Sequence, residues 1–493
     1  MSGLDPYRRE RDLIGERDVP ADAYFGIHTL RAVENFQISG IPISRHSGLI
    51  RAMAAVKQAA ARANADLGLL DGAKAEAIVA ACVDVRAGAL HDQFPVDAIQ
   101  GGAGTSTNMN ANEVIANRAL EHLGHVRGAY EFLHPIDDVN LSQSTNDVYA
   151  TALRIALDDA AQGLLGAIAT LINALEAKAT EFADVVTIGR TQLQDAIPIT
   201  LGQVFAAFAV TLSEDVSRLA EARQLLREIN LGGTAIGTGI NSHPEYRERV
   251  RIHLEAITCI ELTTSVDLVE ATQDAGVFVL LSGVLKRIAL KLSKICNDLR
   301  LLSSGPRAGF GEIRLPAVQA GSSIMPGKVN PVIPEVVNQV AFEVIGNDVT
   351  ISFAAEGGQL QLNAFEPIIG HRLFEGIEHL RAAVLTLAAR CVSGITADPA
   401  RLRRIVQRST GLATVLTPYI GYGRASQIAQ EALATDRGIS ELVGEKGWLS
   451  RERLDELLRP DVLTGQSAVI EDGALAPNGC AARTIEDLRC SSI

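Results

Sequence analysis

The sequence lacks a cationic run and has few aromatic residues, and both absences narrow the possible functions. Its 493 residues carry a formal net charge of −13, whereas nucleic-acid-binding proteins concentrate Lys and Arg on one face. We therefore expect no nucleic-acid partner. Aromatic residues account for only 4% of the chain, and the abundance of Ala and Leu favours helices.

Long apolar segments are also missing. The longest, at about 275–285, ends at Lys286 and Arg287, which leaves it well short of the roughly 18 residues of a membrane span. The first twelve residues contain no apolar stretch typical of a secretory signal. These features predict a cytoplasmic protein without a membrane partner.

The six cysteines show no CxxC spacing, and their pattern suits a reducing compartment better than a disulfide framework. Two of them, Cys480 and Cys490, fall in a polar tail where they could be exposed. The other four lie within helical patterns, and we predict that they are small buried apolar groups: Cys82, Cys259, Cys296 and Cys391.

Several catalytic motifs are absent as well. The sequence contains no HExxH, GxSxG or GxxxxGK[ST], and no strand pattern precedes the glycines at 101–104 as a dinucleotide-binding GxGxxG would require. The ten histidines are scattered singly, and no metal-ligand spacing is visible. We therefore predict neither a metal nor another cofactor.

Long helical periodicity is abundant. Sustained charged heptads, which would indicate a coiled-coil rod, are missing. Apolar residues cover so much of the circumference that the helices should form a bundle completed by other subunits, which predicts an all-α protein. The five patterns are residues 147–182, 199–230, 266–302, 334–356 and 367–392.

Changes of character along the chain predict three domains, since one core cannot accommodate this length. Residues 1–143 should form a mainly helical N-terminal domain, and residues 144–396 the central five-helix bundle. Residues 397–493 are more polar, with shorter helices and a polar tail, and should form a small C-terminal domain.

The segment Gly321–Pro331 reads GSSIMPGKVNP and lies in a Gly- and Pro-dense connection between two helical patterns. Long connections without regular structure are usually functional or disordered. This one carries two hydroxyls, Ser322 and Ser323, one ammonium, Lys328, and one amide, Asn330. Pro334 is placed to begin the next helix. The composition suits either a lid over an anion or an ordinary surface loop.

Three other segments combine glycine, hydroxyl and amide residues: GGAGTSTNMN at 101–110, SQSTND at 142–147 and GRTQLQD at 189–195. Each precedes a helical pattern, and helix N-termini favour anions. Taken singly, each is better explained by simple N-capping. Together the four segments favour one shared site, whose neutral donors suit carboxylates.

These motifs carry a family resemblance. GSSIMPGKVNP matches the signature of the fumarase/aspartase superfamily, and the other three segments resemble its remaining active-site regions in the same order. The resemblance extends over about residues 12–458. It implies an all-α fold of three domains around a long bundle, twenty helices forming the core of a homotetramer, and active sites built from three subunits.

The branch that it most resembles eliminates ammonia from L-aspartate to give fumarate. Gln192 is the sharpest discriminator, because the hydratase branch has His at this position near the Glu that corresponds to Glu335. Gln cannot titrate, so it can only orient a ligand. Fumarate hydratase is the first alternative. A catalytically inactive structural homologue is the second, although such a protein should have lost Ser322, Lys328 or Asn330.

The resemblance also implies a role for each residue. Ser322, as its alkoxide, is the general base that removes a proton from C3, which gives an enediolate. The β-carboxylate is held by Thr105, Ser144, Thr145 and Ser323. The α-carboxylate is held by Thr191, Lys328 and Asn330. Asn146 and Gln192 lie near the amino group.

Overall fold

The structure, a computed structural model, describes residues 6–465. Its helices up to residue 390 are α1 (Ile27–Asn35), α2 (Ser47–Asp66), α3 (Gly72–Arg86), α4 (Thr105–His122), α5 (Thr145–Glu181), α6 (Leu201–Leu225), α7 (Tyr246–Thr258), α8 (Leu268–Ala271), α9 (Gly276–Leu302), α10 (Val332–Glu356) and α11 (Glu366–Arg390). Six helices of at most 14 residues follow: α12 (Pro399–Arg408), α13 (Gly411–Ile420), α14 (Tyr422–Thr435), α15 (Ile439–Glu445), α16 (Arg451–Leu457) and α17 (Pro460–Leu463).

The strands form small paired ribbons. Two are antiparallel hairpins, β1 (Tyr7–Asp12) with β2 (Gly15–Pro20), and β3 (Val186–Thr191) with β4 (Gln194–Thr200). Two further pairs have strands of only two residues: β5 (Glu228–Ile229) with β6 (Thr263–Thr264), and β7 (Ile313–Arg314) with β8 (Thr396–Ala397). The prediction of an all-α fold is confirmed, since no larger sheet occurs in the described range.

The chain folds into two compact units. Among the described residues, the first contains 6–169, 214–293 and 337–384, and the second contains 170–213, 294–336 and 385–465. A core of the second unit gathers Ile188 of β3 with Leu412, Ile428 and Leu442 of the shorter helices. The three-domain boundaries at 143 and 396 stay a prediction.

One of the five long helical predictions is wrong in its extent. The pattern at 266–302 is interrupted, because α8 ends at Ala271 and α9 begins at Gly276. The Asp274 carboxylate accepts the backbone N–H of Gly276 at 3.0 Å and so satisfies a donor at the start of the second helix. Helix α5, with 37 residues, is long and apolar enough to cross a membrane, although half of its most apolar window is buried.

The cysteine predictions hold for three of the four described helical positions. Cys82, Cys296 and Cys391 are buried, and Cys259 is exposed. Cys259 directly follows α7 with a left-handed φ of 56°, so it ends the helix instead of packing beneath it. Cys480 and Cys490 lie outside the described residues.

Candidate active site

The Gly321–Pro331 segment is a loop of the second unit that is closed at its base. The Gly321 N–H donates to the Lys328 carbonyl at 2.8 Å, and the Asn330 side-chain amide donates to the Gly321 carbonyl at 2.8 Å. A Cβ at position 321 would lie 2.6 Å from the Lys328 carbonyl oxygen. Only glycine therefore permits this closure without displacing the backbone.

Within the loop the two serines differ. The Ser322 Oγ accepts the backbone N–H groups of Ile324 at 3.2 Å and Met325 at 2.9 Å. Hydrogen bonds donated to an oxygen favour its anionic form. Ser323 is exposed, and its hydroxyl has no hydrogen-bond partner within residues 6–465. The loop therefore stabilises negative charge on the first serine.

Lys328 is exposed on this loop, and its ammonium pairs with no carboxylate of the described chain. Asn330 is half-buried and uses one amide hydrogen on Gly321, which leaves a second one for a ligand. Helix α10 begins at Val332, two residues before the Pro334 expected to open it. Pro334 is tolerated there because N–H groups of the first turn have no partner within the helix.

Thr191 and Gln192 are not at a helix N-terminus, and that expectation is wrong. Thr191 ends β3, and Gln192 with Leu193 forms the two-residue turn to β4. Both turn residues have a left-handed φ, 53° and 62°, as the tight turn of a twisted hairpin requires. The β-branched residues in both strands favour this hairpin over a direct entry into α6. The turn holds Gln192 exposed at its tip.

A buried ion pair joins this hairpin to the segment that leads to the loop. The Arg190 guanidinium lies 2.5 Å from the Glu312 carboxylate, whose side chain is 1% exposed. The same carboxylate accepts the Thr187 hydroxyl at 2.8 Å. Arg190 also stacks 4.5 Å from the centroid of the Phe310 ring. These contacts fix β3 against residues 310–312 within the second unit.

Thr105 lies at the start of α4 in the first unit. The residue before it, Gly104, has a φ of +87°, and a Cβ there would lie 2.5 Å from the Tyr149 ring. Glycine thus allows the N-terminus of α4 to pack against α5. Thr105 is exposed and lines a cleft of about 580 Å³ together with His28 and Arg31. Its hydroxyl and the helix terminus face that cleft as neutral donors.

Ser144, Thr145 and Asn146 open α5. The Ser144 Oγ accepts the Asn146 N–H at 3.3 Å, and the Asn146 side-chain amide donates to the Ala235 carbonyl at 2.7 Å. That donation turns the Asn146 carboxamide so that its Oδ1 remains an acceptor. Asp147 holds the turn by accepting the N–H groups of Ser144 and of the segment around Gly232.

A buried polar cluster beneath these two helix ends was not foreseen from the sequence. Lys57 is fully buried, and its Nζ donates to Asn140 Oδ1 at 2.8 Å. Asn108 and Asn112 donate to the same oxygen, each at 3.1 Å. Burial lowers the pKa of Lys57 to about 7, and the nearby Asp147 carboxylate opposes that shift. The four-residue spacing of the two α4 asparagines was the available signal, since it places both on one helix face.

The predicted residues thus fall into two groups. Thr105, Ser144, Thr145 and Asn146 lie at the starts of α4 and α5, where Asn108 donates to Thr145 and links the helices. The other six lie in the second unit, on the hairpin turn or the loop: Thr191, Gln192, Ser322, Ser323, Lys328 and Asn330. Across residues 6–465, no three His, Cys, Asp or Glu side chains are grouped to hold a metal ion.

Two family profiles match the chain. The one described as Lyase matches residues 15–346, and the one described as Fumarase C C-terminus matches residues 412–465. An aspartate ammonia-lyase from Pseudomonas canavaninivorans is 58% identical over 462 residues, which cover 94% of this chain and 98% of that relative.

Solved structures are similarly close. One described as fumarate lyase:delta crystallin from Brucella melitensis bound to cobalt has a TM-score of 0.91 at 58% identity, covering 93% of this chain and 99% of that chain. A recombinant class II fumarase from Schistosoma mansoni has a TM-score of 0.87 at 34% identity, again covering 93% and 99%. The match in sequence and in structure extends over nearly the whole chain.

Proposed function

Because the chain belongs to the fumarase/aspartase superfamily of lyases, we propose that it catalyses the reversible elimination of ammonia from L-aspartate to give fumarate. The observation that carries this activity is the high identity, over nearly the full length, to relatives named aspartate ammonia-lyase. Gln192 supports the same choice, because a neutral amide at the hairpin tip cannot act as the titrating group that activates water.

Ser322 is the proposed general base. As an alkoxide it takes the proton from C3 of aspartate, and the C3 electron pair moves towards the neighbouring carboxylate. The two N–H groups of Ile324 and Met325 that point at its Oγ support this role, since they favour the charged oxygen. Ser323 carries the same functional group, but no N–H group within residues 6–465 donates to its hydroxyl.

The enediolate that forms carries additional negative charge, and preorganised donors at that charge usually give the largest catalytic term. Thr105, Ser144, Thr145 and Ser323 are assigned to this β-carboxylate. In support, three of them lie at the starts of α4 and α5, where the positive end of the helix dipole adds to the hydroxyl donors. Collapse of the enediolate then breaks the C–N bond, and ammonia leaves.

The α-carboxylate is assigned to Thr191, Lys328 and Asn330, and the amino group to Asn146 and Gln192. The unpaired ammonium of Lys328 and the second amide hydrogen of Asn330 are suitable donors to a carboxylate. The free Oδ1 of Asn146 is the acceptor that a substrate ammonium needs.

We assign these residues to composite sites in a homotetramer that acts in the cytoplasm on a small dicarboxylate. An apolar face of α10 supports assembly. Phe342, Val349 and Phe353 are 62%, 54% and 72% exposed and recur on one side of the helix. Such a face is covered in most stable proteins. Light scattering at working concentration should give four times the chain mass, and a monomer would contradict this assembly.

A two-substrate assay tests the activity. Purified protein is incubated separately with L-aspartate and with L-malate, and fumarate is measured in each sample. Fumarate from L-aspartate, accompanied by an equal amount of ammonia, is the expected result. Fumarate from L-malate alone would instead assign the chain to fumarate hydratase. Fumarate from neither substrate would favour a structural homologue.

A further inference from the structure

We propose that Lys57, Asn140 and Asn108 form a buried relay that fixes the hydroxyl of Thr145 as a hydrogen-bond donor to the bound dicarboxylate. The inference rests on the proposed function through one assignment, that of Thr145 to the substrate carboxylate. It makes Asn108 a positioning residue, because its amide contacts Thr145 and not the substrate. All four residues belong to the first unit.

The relay begins with the orientation of the Asn140 side chain. Its Nδ2 donates to the Gln143 backbone carbonyl at 3.2 Å, and that carbonyl can only accept. This contact leaves Asn140 Oδ1 as the atom that faces Lys57, whose Nζ donates to it at 2.8 Å. The orientation of Asn140 is therefore determined by Gln143 and Lys57 together.

The next step reverses the polarity. Asn140 Oδ1 can only accept, so the groups that approach it from α4 must be the NH₂ groups of Asn108 and Asn112, each at 3.1 Å. Their carbonyl oxygens, Asn108 Oδ1 and Asn112 Oδ1, are buried without a hydrogen-bond partner in the described structure.

The last step sets the catalytic hydroxyl. Asn108 Nδ2 has two hydrogens, one for Asn140 and one for Thr145 Oγ1, which lies 3.1 Å away. An oxygen that already accepts this hydrogen keeps its own O–H free to point elsewhere. At the first residue of α5 that hydrogen adds to the backbone donors available for an anion. A Thr145 that instead donated inward would offer the anion only lone pairs.

Asn108→Asp reverses the polarity with little change in shape. Its carboxylate would accept the Thr145 hydrogen and turn the hydroxyl inward. Asn112→Asp is the matched control, because it puts the same charge beside the same Asn140 oxygen without touching Thr145. The readouts are the affinity for succinate, a dicarboxylate that does not react, together with kcat and KM for L-aspartate.

The relay predicts that Asn108→Asp weakens succinate binding about tenfold or more beyond Asn112→Asp, the size of a lost hydrogen bond to a charged group. It should lower kcat more than it raises KM, because the enediolate carries more charge than the substrate. When Thr145→Val is also present, Asn108→Asp should weaken succinate binding no more than Asn112→Asp does. The reason is that Asn108 acts on succinate only through the Thr145 hydroxyl.

Two results would overturn the relay and leave the proposed function intact. One is an equal loss of succinate affinity in Asn108→Asp and Asn112→Asp. The other is a larger loss in Asn108→Asp that persists when Thr145→Val is also present. If Thr145→Val alone does not change succinate affinity, the assignment of Thr145 fails and the relay fails with it. Should Asn108→Asp not fold, Asn108→Leu removes the donor without adding charge. The relay then predicts that Asn108→Leu weakens succinate binding about threefold or more, and that it has no further effect when Thr145→Val is also present. A further loss of affinity in the Thr145→Val variant would contradict the relay.

Discussion

The hydroxyl oxygen of Ser322 lies 2.9 Å from the backbone nitrogen of Met325 and accepts its hydrogen. The neighbouring Ile324 N–H approaches the same oxygen at 3.2 Å. A serine hydroxyl is ordinarily too weak an acid to act as a base at carbon, so the chemistry depends on what stabilises the alkoxide. The backbone N–H groups of the loop stabilise the alkoxide of Ser322 but not that of the adjacent Ser323.

Ser322→Ala should abolish turnover while leaving the fold intact, since it removes the proposed base and little else. A general base contributes about 10²–10⁴-fold to the rate. Ser323→Ala is the matched comparison and should cause a smaller loss. The measurement is kcat for L-aspartate with thermal melting as the fold control. Activity above about a tenth of the parent's, a loss below about 1.4 kcal/mol, would refute the base assignment.

Lys328→Met should weaken both succinate binding and kcat, because it removes the cation of the loop and keeps the length of the side chain. A charge-assisted contact of this kind contributes about 1.5–3 kcal/mol. Lys294→Met is the control, since Lys294 is an exposed residue of α9 that pairs with Asp298. Titration calorimetry with succinate measures the difference. An affinity equal to that of the control would exclude Lys328 from carboxylate binding.

Gly321→Ala should reduce activity at least tenfold with only a small change in melting temperature. The added Cβ would lie 2.6 Å from the Lys328 carbonyl oxygen, so the base of the loop must open. Gly423→Ala provides the control, because a Cβ there meets nothing within 4 Å. Activity is assayed with L-aspartate alongside thermal melting. Full activity in Gly321→Ala would show that the closed base is dispensable.

Stability should fall as the pH drops from about 6.5 towards 4. His46 Nε2 and His371 Nδ1 lie 2.9 Å apart, and burial lowers the pKa of His46 to about 4 and also lowers the pKa of His371. The unfolded chain, with ordinary histidines, therefore binds more protons in this window. Each unit of pKa difference corresponds to about 1.4 kcal/mol of the free energy of unfolding.

The variant His46→Phe, which retains an aromatic ring beside Phe374, should flatten this dependence. His243→Gln is the control, because His243 is exposed. Thermal melts between pH 4 and 7 supply the comparison. If the parent and His46→Phe lose stability with the same slope, the buried histidine pair is not responsible.

Much of the fold could be predicted from the sequence because helix formation is largely local. The apolar period located α5, α10 and α11 to within a few residues. The hairpin at 186–200 was missed, although the β-branched residues of its two strands were available as a signal, because the turn Gln192-Leu193 carries neither Gly nor Asn. The break before α9 depends on the local Asp274 cap and was hidden by the continuous apolar pattern.

For the candidate site, the sequence alone determined the four polar segments, their order and the loop that carries Ser322 and Lys328. The three-dimensional structure decided which of the two serines receives backbone donors, since that depends on the local backbone conformation from Ser322 to Met325. It also decided the surroundings of Thr145. Lys57, Asn108 and Asn140 are far apart in the sequence and become one hydrogen-bonded chain only when α2 and α4 pack together. Such a series of hydrogen bonds leaves no periodic pattern in the sequence, because its geometry arises from packing between separate elements.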